Sequence, residues 1–61
     1  MRPSVTVVIP ALDEERHVAA AIRSVRPEAE VIVVDGGSRD ATRDIAAGEG
    51  ARVLELSLIH I

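Results

Sequence analysis

A chain of 61 residues with no cysteine and no aromatic residue fits one small domain, with neither disulfides nor large rings to hold it. Chains of this size bury only about 60% of the surface that unfolding exposes. The net charge of −3 and basic residues that are all arginine and spread along the chain exclude a nucleic-acid footprint, and no CxxC or HExxH spacing offers a structural metal.

No apolar run approaches the roughly 18 residues of a membrane span, and the N-terminus lacks the apolar region of a signal peptide. The expectation is a cytoplasmic chain, with membrane association of a longer parent protein left open. From Ser4 to Ile9 the chain is rich in β-branched residues, predicting a first strand that stops at Pro10, which cannot donate to a sheet ladder. Asp13 suits an N-cap, Glu14 and Glu15 suit the positive end of a helix dipole, and Val18, Ala21, Ile22 and Val25 share one helical face. This predicts a first helix closed before Pro27.

Glu30 to Asp35 forms the second predicted strand. Its consecutive apolar residues Val31, Ile32, Val33 and Val34 imply a strand covered on both faces, as in parallel sheets flanked by helices. Asp35 stands at the carboxyl end of that strand, where open α/β sheets bind ligands, and is a candidate ligand contact by position. Gly36 and Gly37 supply a loop in which backbone can approach a ligand or take positive φ. Ser38 is expected to cap a second helix, about Arg39 to Ala47, through the N–H of Asp40 or Ala41, with Gly48 in the left-handed position after it. Gly50 leads into a third strand, Ala51 to Glu55.

The order β-α-β-α-β with short connections predicts parallel strands and right-handed crossovers. The fold class is α/β: a three-layer, Rossmann-like fragment with strand order 3-2-1. Its first strand is left as an apolar edge, which would invite association unless more chain covers it, so a fragment of a larger domain is expected. The tail Leu56-Ser-Leu-Ile-His-Ile61 breaks the pattern. It resembles the in-frame translation of a transposase-type sequencing adapter, and the alternative is a longer third strand. Residues 1–55 are thus expected to be native and 56–61 not.

Val7-Val-Ile-Pro-Ala-Leu-Asp-Glu-Glu15 followed by Val33-Val-Asp-Gly-Gly-Ser-Arg-Asp-Ala-Thr42 resembles the opening of family 2 glycosyltransferases, nucleotide-sugar enzymes of the GT-A fold. The Asp-Gly-Gly-Ser form, with Gly50-Ala-Arg-Val53 after it, is most similar to a bacterial branch of small cytosolic members. The resemblance implies that Pro10, Ala11 and Leu12 line the base and ribose of a donor nucleoside, commonly uridine. It further implies that Glu14 accepts hydrogen bonds from ribose hydroxyls and that Asp35 accepts the imide N–H of the base, with Gly36 and Gly37 beside it. Carboxylates suit the nucleoside end of such a ligand because they accept from hydroxyl and imide donors but repel phosphate.

Each acid has a structural alternative. Glu14 and Glu15 also complement a helix dipole, Asp13 stands where Asn is more usual and suits a cap, and Ser38, Asp40 and Thr42 fit helix-start chemistry, Asp40 being the weaker ligand candidate. Gly36 replaces the second acid of the commoner Asp-Asp-Gly-Ser form. His17 and the arginines, including Arg39 and Arg43, are expected on solvated helix faces.

The resemblance also implies a divalent cation, magnesium or manganese, on an Asp-x-Asp-like motif, and an acidic general base that completes an inverting sugar transfer to an acceptor hydroxyl. Neither motif is present, so no catalytic or metal-ligating residue is assigned and the fragment alone is expected to be inactive. Of the rival readings, a dinucleotide-binding oxidoreductase would need Gly-x-Gly-x-x-Gly where Pro10 and three acids stand. A receiver-like binding module would need its reactive Asp after the third strand, where the chain has Glu55.

Overall fold

Strands and helices alternate in the computed structural model, which describes residues 5–56: β1 (Thr6–Ala11), α1 (Val18–Val25), β2 (Glu30–Asp35), α2 (Thr42–Gly48) and β3 (Arg52–Glu55). The strands are parallel in the order β1-β2-β3, which is the array expected from the short crossovers. Ala11 lies beside Asp35, and Asp35 beside Glu55, so the carboxyl ends of all strands are level.

Both crossovers advance in the same direction across the sheet, and right-handed connections then put their helices on one face. Val18 and Ile22 of α1 and Ala46 of α2 accordingly share one core with Ala11, Val31 and Val33. Ile22 and Val33 are fully buried, contributing about 2 kcal/mol each. The opposite face is a different matter. Ile32 and Val34 are only half-buried, and Val8 and Leu54 are 57% and 41% exposed. The apolar run of β2 was expected to be covered on both sides; the described residues supply the sheet and one helical layer, and the third layer is not among them.

β1 runs through Pro10 instead of stopping there. The carbonyls of Val5 and Ala11 accept from Glu30 and Gly36 N–H groups, so alternate residues of β1 bond β2 and Pro10 falls between them. Its missing N–H points to the open edge, where proline is tolerated.

The helix starts also differ from expectation. α1 begins at Val18, with no side-chain cap from His17, although the Glu14 carbonyl already accepts from the N–H groups of His17 and Val18. Asp13 is not its cap; it has φ 51° and bonds elsewhere. α2 begins at Thr42 and includes Gly48, so the left-handed residue is Gly50, at φ 88°. Gly50 N–H donates to the Ala47 carbonyl and Ala51 N–H to that of Ala46, the paired bonds of a Schellman ending. The expected start of the first strand at Ser4 and the residues from Ser57 onward lie outside the described residues.

Candidate functional site

The level carboxyl ends of the strands carry the loops 12–17 and 36–41, and every site residue expected from the sequence lies on or beside them. Asp35 ends β2 with 0% exposure. Its Oδ2 accepts from the N–H of Gly37 at 3.1 Å and of Ser38 at 2.9 Å, and its Oδ1 accepts from the Ser38 hydroxyl. Arg43 Nε stands 3.8 Å from Oδ2. Burial pushes this carboxyl up, but the hydrogen bonds from Ser38 and Gly37 and the Arg43 charge outweigh burial and hold it below the usual carboxylate value.

Asp35, expected to accept a ligand N–H, here accepts from its own loop and lies beneath the surface of the described residues. Gly37, at φ 106°, makes the turn that lets two successive N–H groups converge on that carboxylate.

Arg43, expected on a solvated helix face, keeps 42% of its side chain exposed but donates to Glu55 through Nη1 while facing Asp35. The parallel register sets Asp35 and Glu55 side by side, and one cation between adjacent acids relieves their repulsion. The bond to Glu55 is the main reason that the guanidinium pKa is raised. Two strands each ending in an acid are visible in the sequence; their adjacency follows only from the register.

Pro10, Ala11, Leu12 and Gly36 come together, lining a shallow hollow of about 310 Å³ with Val34 and Leu56. Its walls are apolar side chains and exposed backbone. Gly36 N–H donates to the Ala11 carbonyl at 2.8 Å, joining the two loops at its floor. Glu14 lines a neighbouring, smaller hollow of about 100 Å³ that shares Pro10 and Ala11 with the first, where its carboxylate is 3.5 Å from His17 Nδ1.

The remaining acids tie the loops to each other. Asp13 Oδ1 accepts from Arg39 N–H at 2.8 Å and Glu15 Oε1 from Ala41 N–H at 3.0 Å. In return Asp13, Glu14 and Glu15 donate their N–H groups to Ser38 Oγ, Thr42 Oγ1 and Asp40 Oδ2. Asp40 also accepts from the hydroxyl and N–H of Thr42, and the hydroxyl bond foremost lowers its pKa. Asp40, the weaker ligand candidate, braces the loops through these bonds. Ser38 and Thr42 were read as local helix-start residues; their partners across the loops, some 25 residues earlier in the chain, have no local sequence signal.

Among the described residues no three His, Cys, Asp or Glu side chains gather to hold a metal ion. No helix among the described residues is long and apolar enough to cross a membrane.

The family model described as Glycosyl transferase family 2 matches residues 6–57. The chain is 47% identical over 58 residues to succinoglycan biosynthesis protein ExoA of Rhizobium meliloti, covering 82% of this chain and 18% of that protein. It is 43% identical over 56 residues to glucosyl-3-phosphoglycerate synthase of Mycolicibacterium paratuberculosis, covering 84% of this chain and 17% of the other. The fold superposes with TM-score 0.80 and 35% identity on the Mycobacterium tuberculosis glucosyl-3-phosphoglycerate synthase solved with Mn2+, uridine diphosphate and glucosyl-3-phosphoglycerate, covering 97% of this chain and 24% of that one. The chain thus spans under a fifth of these curated relatives. On the family match and these likenesses, the chain belongs to glycosyl transferase family 2.

Proposed function

We propose that this chain is the nucleoside-binding part of a longer glycosyltransferase that moves a sugar from a nucleoside-diphosphate donor, uridine-linked, to an acceptor hydroxyl. The observation that carries the reading is the hollow where Pro10, Ala11, Leu12 and Gly36 meet at the carboxyl ends of β1 and β2, in a chain similar to one solved with uridine diphosphate. Apolar walls suit the face of a base, and Gly36 and Gly37 let a ligand approach the backbone without side-chain bulk. Glu14, exposed beside the hollow, is the carboxylate that this reading assigns to the ribose hydroxyls.

The acids at this site do not suit a metal. Asp13, Glu15, Asp35 and Asp40 each accept loop N–H groups, so the divalent cation and the general base are assigned to the rest of the longer protein, and the segment alone is inactive. Titration of the full-length gene product with uridine diphosphate, in the presence of Mn2+, should give saturable binding that NAD does not reproduce. Absence of binding to any nucleotide overturns the reading. Inversion at the anomeric carbon rests on the resemblance alone; proton coupling constants of the product test it, and retained configuration overturns it.

A further inference from the structure

The turn after β1 is gripped by side chains of one short segment after β2. Asp13 N–H donates to Ser38 Oγ at 2.9 Å, Glu14 N–H to Thr42 Oγ1 at 2.8 Å and Glu15 N–H to Asp40 Oδ2 at 3.2 Å. Each hydroxyl is committed in one direction. Ser38 gives its proton to Asp35 and Thr42 gives its own to Asp40, which leaves an oxygen lone pair for the incoming amide. A hydroxyl that donates to a carboxylate is polarised into a better acceptor. Ser38 is buried and Thr42 fully so, so water does not substitute freely for either.

The grip is also returned. Asp13 and Glu15 accept from the N–H groups of Arg39 and Ala41, so neither loop can shift without breaking bonds made by the other. Within this frame Asp13 holds φ 51°, a sparsely populated region for a residue with a side chain, which persists where surrounding contacts over-determine it. Leu12, immediately before Asp13, lines the hollow, and Glu14 follows it.

We propose that the Ser38 and Thr42 hydroxyls are positioning residues for nucleotide binding, clamping the 12–15 turn in the shape that receives the nucleoside. The proposal rests on the nucleotide-binding reading above and adds the residues that pre-organise its site. A turn without the clamp must be ordered when ligand arrives, and that cost is taken from affinity.

The test is calorimetric titration of the full-length protein with uridine diphosphate and Mn2+, comparing wild type with Thr42→Val, Thr42→Ser and Ser38→Ala. Thr42→Val keeps the shape and removes the hydroxyl, and is expected to weaken binding about tenfold. Ser38→Ala should act in the same direction, and Thr42→Ser should recover most of the loss. Ile22→Val, a core truncation away from the loops, should lower the melting temperature while leaving nucleotide affinity as it was. In hydrogen exchange the amides of Asp13, Glu14 and Glu15 should be protected in the unliganded wild type and lose protection in Thr42→Val.

Wild-type affinity in Thr42→Val, or failure of Thr42→Ser to restore binding, overturns the clamp and leaves the nucleotide reading standing. If Thr42→Val does not fold, Ser38→Ala and the wild-type exchange pattern decide, and fast exchange at all of those amides overturns the proposal. Lack of nucleotide binding by the wild type overturns the nucleotide reading itself, and the clamp with it.

Discussion

At the scale of single residues, Asp35 shows how a functional signal and a structural one can coincide. Its position after an apolar strand pointed to a ligand, and the same position lets a buried carboxylate gather the N–H groups of Gly37 and Ser38 and the Ser38 hydroxyl. Asn at this site presents one acceptor oxygen and turns an NH2 group toward donors. Asp35→Asn should therefore lower the stability of the full-length protein by about 2 kcal/mol, the scale of hydrogen bonds to a buried charge, read by denaturant unfolding. The sign of the pH dependence follows from the lowered pKa. The folded value lies below the ordinary 3.8, so the unfolded chain takes the proton first on acidification. The stabilisation is complete above that ordinary value and is lost as pH falls through the lower folded value. Asp35→Asn should flatten this part of the acid limb in thermal scans, and an unchanged limb would show that Asp35 does not contribute to it.

At the scale of elements, the legible features were those written in neighbouring residues. β2 spans Glu30–Asp35, as its apolar run and terminal acid predict, and α1 ends at Val25, before Pro27. Features set by distant partners were not legible. Pro10 stays in β1 because the register turns its nitrogen outward, and Ser38 bonds Asp13 rather than the helix beside it. The end of α2 gives a sharper case. Gly48 was expected in the left-handed position, but the helix runs through it and the turn falls on Gly50. Opposite effects of alanine follow. Gly48→Ala meets nothing within 4 Å and should stabilise by about 0.5 kcal/mol through backbone entropy. Gly50→Ala would drive its Cβ into the Arg26 guanidinium at φ 88°, and should destabilise by about 1 kcal/mol or more. Paired unfolding curves check both signs.

At the scale of the whole molecule, the covered and uncovered faces of the sheet differ in consequence. Val8, Ile32, Val34 and Leu54 form an apolar surface opposite the helices, with Val8 57% exposed, larger in character than the scattered apolar residues of an ordinary surface. The 61-residue chain expressed by itself should self-associate with rising concentration, and replacing Val8 and Leu54 by threonine should reduce this; sedimentation velocity checks it, and a monomer at all concentrations would refute it. The outer edge of β1 behaves differently along its length. Thr6 and Val8 can offer both an N–H and a carbonyl to an incoming strand, but Pro10 offers a carbonyl only. A neighbour zipping along β1 therefore loses its ladder one residue before Ala11. Proline here acts as a doorstop: the sheet can widen at its base while its mouth, where the hollow opens, is kept from being sewn shut.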